Sequence, residues 1–235
     1  MIPEEWYGLP TIQDRLRRLW RMRKKVSVVG DLFKRDLREA GARYWVAFVT
    51  LTYGPDVEWS AKHIRTYLDV MRKIIDRRGH RARYLWVAEL QKRGAVHYHI
   101  IFWLPERVML PMPDQGYWPH GMSNIQKCHG NGVGYLLKYV SKGTVGQPYP
   151  KHCRTFGHGG LNKDSQDYAA WEMLPRYQRV KCYWFERVRK RGGRWYSPVT
   201  GACWRGWVPP YWYRAPGTAD RQARRLELEA KGTEV

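Results

Sequence analysis

Two apolar segments separated by a very short turn constrain the fold of this chain most strongly. Residues 83–91 and 95–104 are rich in aliphatic and aromatic side chains, and only three residues, ending in Gly94, lie between them. Such segments are typical of β-strands, and a three-residue loop with a left-handed glycine joins antiparallel neighbours. We therefore predict a β-hairpin in which Glu89 lies directly opposite His97.

The second strand of this hairpin carries two histidines, His97 and His99, which are separated by one residue. Residues two apart in a strand point to the same face of a sheet, so both imidazoles and the Glu89 carboxylate are predicted to converge. Polar groups among apolar neighbours need a partner, and a divalent cation suits this set. A register shift of one residue would move Glu89 to the other face.

These three predicted ligands leave coordination positions open. Open positions suit catalysis with Mg²⁺ or Mn²⁺, whose remaining ligands are phosphate oxygens and water. The same ligand types hold iron in oxygenases, which is an alternative interpretation. The cupin form of that site has a glutamate shortly after the second histidine, whereas residues 100–105 contain no carboxylate.

A second chemical pattern lies in residues 132–142, which have the hydrophobic spacing of a helix and contain Tyr-x-x-Lys twice. Tyr135 and Tyr139 are four residues apart, so they share a helix face, with Cβ atoms about 5–6 Å apart. In isolation this pattern indicates an amphipathic helix with tyrosines at the edge of the core. Beside a metal site, a tyrosine can attack phosphorus, and Lys138 and Lys142 can add positive charge in the transition state.

Composition favours a nucleic-acid partner. The 235-residue chain has a formal charge of +21 and contains 13 Trp and 16 Tyr. A polyanion complements such a charge, and exposed aromatic rings stack on unpaired bases. Neither an apolar leader nor an apolar stretch of membrane-spanning length is present, so we expect a cytoplasmic protein with no membrane partner. The four cysteines do not have zinc-ribbon spacing, and no P-loop motif indicates an ATP-driven motor.

Hydrophobic spacing also predicts the elements that surround the two patterns. Two further strands and two basic or amphipathic helical regions are expected at residues 44–53 and 122–128 and at residues 11–40 and 58–78. Gly30 is expected to divide the first helical region, and Ser60 and Gly79 to begin and end the second.

The C-terminal part of the chain has weaker patterns. We predict a helix at residues 164–174, a β-hairpin within residues 176–199 that turns at Gly192–Gly193, and a charged helix at residues 219–231. The predicted domains are a basic helical segment at 1–43, a core at 44–145, and a basic, aromatic extension at 146–235 that contacts DNA.

Three motifs in order along the chain resemble those of the HUH endonuclease superfamily. They are the apolar strand at residues 48–53 with its two threonines, the triplet His97–Tyr98–His99, and the doubled Tyr-x-x-Lys at residues 135–142. The set is similar to rolling-circle replication initiators (Rep proteins) of the two-tyrosine type found in phages and plasmids. Tyr98 departs from the family, because the middle residue of the triplet is usually a smaller aliphatic one.

The resemblance implies an α+β fold, in which a central antiparallel five-stranded sheet of the RNA-recognition-motif type has helices on both faces. It implies that Glu89, His97 and His99 bind Mg²⁺ or Mn²⁺. It also implies that Tyr135 or Tyr139 nicks and rejoins one strand of a single-stranded or hairpin origin through a 5′-phosphotyrosine, with Lys138 and Lys142 positioning the phosphate. A host helicase and DNA polymerase would be the further partners.

Two alternatives to this function stay open from the sequence. One is a non-catalytic single-stranded nucleic-acid-binding module on a similar sheet, which would need the basic charge but not the metal ligands. The other is a transposase or mobilisation nuclease of the same superfamily. Alanine at His97 separates the first alternative from a nuclease, because binding would survive that substitution.

Overall fold

The structure, a computed structural model, describes residues 12–91, 93–142, 149–191 and 194–205, with the backbone alone for residues 12–15, 141, 142 and 205. The chain divides into two compact units, Met1–Leu161 and Asn162–Val235. The domain boundaries predicted after residues 43 and 145 express a functional division and stay a prediction. Among the described residues, no helix is long and apolar enough to cross a lipid bilayer.

The first unit is an α+β structure with a five-stranded antiparallel sheet, as predicted. Its helices are α1 (Ile12–Glu39), α2 (Ala61–Asp76) and α3 (Gly132–Lys142). Its strands are β1 (Tyr44–Thr52), β2 (Arg83–Leu90), β3 (Val96–Pro105), β4 (Ser123–Lys127) and β5 (Phe156–Gly159). The strand order is β4-β1-β3-β2-β5, and every neighbouring pair is antiparallel.

Side chains of the central strand β3 alternate between two faces of the sheet. We call the face that carries Tyr98 and Ile100 the core face, and the face that carries His97 and His99 the site face. The core face packs against the apolar side of α2, which includes Tyr67 and Met71. The hydroxyl of the buried Tyr98 accepts a hydrogen bond of 2.9 Å from the Trp59 indole. The polar middle residue of the triplet is therefore accommodated within the core.

The site face is covered by α1 and α3, so helices lie on both faces, as predicted. Phe33 of α1 packs against Trp103 of β3 with ring centroids 4.9 Å apart. The predicted break at Gly30 is wrong, because α1 continues through it. A Cβ at Gly30 would lie 2.5 Å from Cγ2 of Val133 in α3, so this glycine is needed for the close approach of two helices.

The limits of α2 agree with the predicted cap and stop. The Ser60 side chain accepts a hydrogen bond of 3.3 Å from the backbone N–H of Lys62, which makes Ser60 the N-cap. The helix ends at Asp76, and Gly79 follows with φ of 76°. A positive φ of this kind is readily adopted by glycine, which explains why the chain turns there towards β2.

The fifth strand, β5, was not predicted from the sequence by its own pattern. It contains Gly157 and Gly159, which pair with Trp86 and Tyr84 of β2. A Cβ at either glycine would lie within 2.6 Å of the facing aromatic ring. The strand therefore lacks side chains where aromatic residues need space, and its sequence lacks the apolar alternation that usually indicates a strand.

The second unit contains short elements. They are α4 (Lys163–Glu172), α5 (Arg176–Arg179), a 3₁₀ turn (Trp184–Glu186), β6 (Arg189–Arg191), β7 (Arg194–Tyr196) and β8 (Cys203–Arg205). The helix predicted at residues 164–174 is confirmed as α4. The three strands form an antiparallel sheet in the order β6-β7-β8.

The hairpin predicted within residues 176–199 is correct only at its tip, where β6 pairs with β7. Its first part is helical, because the buried Glu186 side chain accepts a hydrogen bond of 2.9 Å from the backbone N–H of Tyr183 and caps a turn. The proposed turn at Gly192–Gly193 and the charged helix at residues 219–231 lie outside the described residues. The role of the basic, aromatic extension stays a prediction.

Candidate metal and tyrosine site

The β2–β3 hairpin has the predicted register. Glu89 pairs directly with His97, and the backbone N–H of Gln91 donates to the carbonyl of Ala95 at 2.9 Å. Gly94 closes the turn with φ of 81°. The left-handed glycine therefore sets the register, and the register brings the carboxylate to the same face as the imidazoles.

Glu89, His97 and His99 form a group that can hold a metal ion. Each residue offers one ligand atom, and these atoms all lie within 4.8 Å of one another. Nε2 of His99 is 3.1 Å from Oε2 of Glu89, and the two imidazole rings stack with centroids 4.4 Å apart. His99 is buried, whereas the other two residues are partly exposed. Two nitrogens and one carboxylate oxygen fit a divalent cation and leave room for further ligands.

Two neighbouring polar side chains hold the ring of His97. Oγ1 of Thr52 lies 3.2 Å from its Nε2, and Nε2 of Gln91 lies 3.1 Å from its Nδ1. The guanidinium of Arg93 donates to Oε1 of Gln91 at 3.1 Å and to the carbonyl of Tyr53. Such hydrogen bonds orient a metal-binding imidazole.

Sequence reasoning missed Gln91 as part of the site. A signal was present, because Gln91 is two residues after Glu89 and so continues the same side of β2. Thr52 was quoted only as the end of an apolar motif. Its place in the site follows from the register, in which Thr52 of β1 pairs with His97.

Both tyrosines of α3 lie over the metal-binding group. The ring of Tyr139 stacks on His99 with centroids 3.5 Å apart and an interplanar angle of 25°. The Tyr139 hydroxyl donates a hydrogen bond of 2.7 Å to the hydroxyl of Tyr135, which is the more exposed phenol. Phe48 of β1 packs against the Tyr135 ring at 4.9 Å. The i, i+4 spacing thus joins the two phenols beside the imidazoles.

The surroundings of Tyr139 oppose its ionisation. Burial raises the pKa of this phenol well above its ordinary value, and the hydrogen bond to Tyr135 and the negative charge of Glu89 raise the pKa further. The phenol is therefore protonated at neutral pH, and positive charge near Glu89 would favour its ionised form.

The two lysines of the motif are placed differently. Nζ of Lys138 lies 5.4 Å from the centroid of the Tyr135 ring and the residue is exposed. Lys142 is the last residue of α3, and its side chain lies outside the described residues. The catalytic roles of both lysines and both tyrosines stay predictions.

A five-stranded antiparallel sheet with paired histidines on its central strand and a tyrosine helix above them defines an HUH-type replication protein. The sequence comparison agrees, because residues 46–144 match the family described as Replication-associated protein ORF2/gene II protein. This region belongs to that family, so the chain is a Rep protein of the gene II type, of phage origin and associated with rolling-circle replication. No curated protein and no solved structure matches the chain significantly.

Membership of this family has two general consequences. A Rep protein implies binding to origin DNA, and this Rep family is typically an HUH endonuclease. The matched residues include the whole hairpin with Glu89, His97 and His99, and also both tyrosines of α3. The geometry and the family therefore point to the same part of the molecule.

Proposed function

We propose that this protein is a site-specific endonuclease and strand transferase that nicks one strand of origin DNA through a tyrosine. The observation that supports this most directly is the position of the two phenols, because Tyr139 stacks on the metal-binding residue His99 and is hydrogen-bonded to Tyr135. A nucleophile beside a metal-binding group is the arrangement that phosphoryl transfer requires.

The proposed reaction is a transesterification. The phenolic oxygen of Tyr135 or Tyr139 attacks the scissile phosphorus, and a new P–O bond to tyrosine forms as the bond to the 3′ oxygen breaks. The phenol gives up its proton, and the departing oxygen takes up a proton to become a free 3′-OH. The 5′-phosphotyrosine conserves the energy of the broken bond, so the reverse reaction can rejoin a strand.

Each residue of the site has a proposed task. Glu89, His97 and His99 would hold Mg²⁺ or Mn²⁺, which when bound supplies positive charge that polarises the scissile phosphate. Lys138 and Lys142 would contact phosphate oxygens near the reacting phenol. The second phenol would serve a second cleavage, after one round of replication has regenerated the origin.

The proposed substrate is a single-stranded or hairpin segment of the origin. This chain contains no P-loop sequence, so we propose that a host helicase separates the strands. A host DNA polymerase would extend the free 3′-OH.

The decisive experiment is detection of a covalent protein–DNA species. Purified protein is incubated with single-stranded circular DNA of the replicon that encodes it and with Mg²⁺ or Mn²⁺, then analysed on a denaturing gel. We expect a protein–DNA band that disappears in the double variant Tyr135→Phe, Tyr139→Phe. Tyr44→Phe, at the far end of β1, is the matched control and should keep the band. Absence of the band with either metal would reject the proposal and favour a non-catalytic DNA-binding protein.

A further inference from the structure

The N-terminal half of α1 carries a dense positive charge. From residue 16 to residue 30 the sequence contains no acidic residue, and six basic residues lie between positions 16 and 25. They are Arg17, Arg18, Arg21, Arg23, Lys24 and Lys25. We call residues 16–25 the basic arm. At the helical rise of about 1.5 Å per residue it is about 14 Å long.

The basic arm is the part of α1 that does not contribute to the core. From Val26 onwards, α1 buries apolar side chains against the site face, whereas Leu16 and Trp20 in the arm are 58% and 62% exposed. A large exposed indole costs free energy in water unless it contacts another molecule. The arm therefore has the composition of a binding surface.

Contacts along β2 place the arm at the end of the sheet that carries the site. Phe33 packs on Trp103, which pairs with Arg83 at the start of β2. Eight residues earlier, Lys25 lies 5.4 Å from the ring of Phe156, which pairs with Val87. As α1 is traced back towards its beginning, it thus follows β2 towards Glu89. The next residues back from Lys25 continue in that direction.

Contacts with α3 lead to the same placement independently. Gly30 lies against Val133, and Nζ of Lys34 is 3.4 Å from Oδ1 of Asn131, so the two helices run antiparallel. Tyr139 is six residues after Val133, and six residues before Gly30 is Lys24. At about 1.5 Å per residue on both helices, the arm begins beside the turn of α3 that carries Tyr139.

We propose that the basic arm binds the single-stranded DNA that adjoins the scissile phosphate in the site. This inference rests on the proposed function, because it assumes that the site acts on DNA. Six positive charges over this length match the close spacing of phosphates along a strand. Trp20 decides in favour of a single strand, because only unpaired bases offer a free face on which an indole can stack. Lys24, 5.7 Å from the Trp20 ring, adds charge beside that stack.

Binding of a fluorescein-labelled oligothymidylate and of a labelled duplex tests this proposal. Fluorescence anisotropy is measured with EDTA over a range of NaCl concentrations, so that no cleavage occurs. The arm variant is Arg17→Gln, Arg18→Gln, Arg21→Gln, and the stacking variant is Trp20→Leu. Glutamine and leucine preserve helix propensity, and unchanged circular dichroism would confirm that both variants fold.

The charge-matched control is Lys73→Gln, Arg77→Gln, Arg81→Gln. These exposed residues lie at the end of α2 and before β2, at the opposite end of the sheet from Glu89. The control loses the same three charges, so it corrects for the general effect of net charge on DNA binding.

We expect the arm variant to lower the slope of log affinity against log salt for oligothymidylate by about 2, because each lost single-strand phosphate contact removes about 0.7. Trp20→Leu should weaken oligothymidylate binding roughly tenfold and leave duplex binding unchanged. The control should change the slope much less than the arm variant. Equal slopes for arm variant and control, or unchanged oligothymidylate binding by Trp20→Leu, would overturn the proposal.

The covalent adduct separates failure of this proposal from failure of the proposed function. If the wild-type protein forms the adduct while the arm variants bind oligothymidylate normally, the arm proposal is wrong and nicking stands. If the wild-type protein forms no adduct but the arm variants lose oligothymidylate binding, nicking is wrong and the arm remains a DNA-binding surface.

Discussion

The two faces of the five-stranded sheet are built from alternate residues of the same strands, yet they differ in chemistry. The core face around Ile100 is apolar and packs against one helix, α2. The site face carries Glu89, His97 and His99 beneath two helices, one with phenols and one with a basic arm. One strand thus serves stability through its even-numbered residues and, in the proposed function, chemistry through its odd-numbered ones. Substitutions on β3 should separate the two properties.

The largest effect is expected from His99→Ala on the site face. Loss of this ligand should reduce Mn²⁺ binding and lower the rate of adduct formation by about 1000-fold or more, since metal-assisted charge stabilisation is worth several kcal/mol. Calorimetric Mn²⁺ titration and the denaturing gel measure both quantities. His63→Ala, a histidine on α2, is the control and should retain both. If His99→Ala forms the adduct at the wild-type rate, the site face is not catalytic.

Ile100→Ala tests the opposite face of the same strand. This side chain is fully buried, so its truncation should lower the free energy of unfolding by about 2–5 kcal/mol. Urea denaturation followed by circular dichroism measures the change. Below the transition, the folded protein should bind Mn²⁺ as the wild type does. A large loss of metal affinity in the folded state would show that the two faces are not separable.

Gln91→Ala should have a smaller effect, confined to the site face. The amide holds the His97 ring through its Nδ1, and loss of such a supporting hydrogen bond typically weakens metal binding by about 10–100-fold. The variant should still fold, and saturating Mn²⁺ should restore adduct formation. Gln115→Ala, in an exposed loop, is the control. Equal Mn²⁺ affinities of the two variants would remove Gln91 from the site.

The smallest expected effect concerns pH. Burial, with the positive charges of Lys25 and Arg154, lowers the pKa of His158 to about 4. The unfolded chain takes up this proton below its ordinary pKa of about 6.5, so His158 makes stability fall as the pH drops from about 6.5 to about 4. His158→Leu should flatten this part of the stability curve, measured as thermal midpoint against pH. His129→Leu, an exposed histidine, should not; identical curves for both variants would contradict the prediction.

Local sequence signals predicted the half of the molecule in which they agree with the tertiary structure. Gly94 defines a turn, the turn defines a register, and alternation then places Glu89 beside the histidines. The apolar spacing of α2 and α3 was equally informative because each helix buries one continuous stripe. These are periodic features, and periodicity depends on the secondary structure alone.

Features that depend on distant contacts were not predictable in the same way. Gly30 resembles a helix break, but its role is to make room for Val133 of another helix. The glycines of β5 have a similar role beside the rings of Tyr84 and Trp86. In the second unit, apolar residues that suggested a strand, such as Tyr183 and Phe185, instead pack together around a short turn. Each case is a tertiary contact that local propensity does not encode.

The position of β3 in the middle of the sheet has a consequence for the behaviour of the site on heating. Its backbone is hydrogen-bonded to β1 on one side and to β2 on the other, so no edge of the sheet exposes it. Amides in such a strand exchange with solvent deuterium only when the whole domain opens, whereas edge strands fray first. The imidazole ligands are therefore attached to the segment that melts last, and their geometry should persist up to the cooperative unfolding transition.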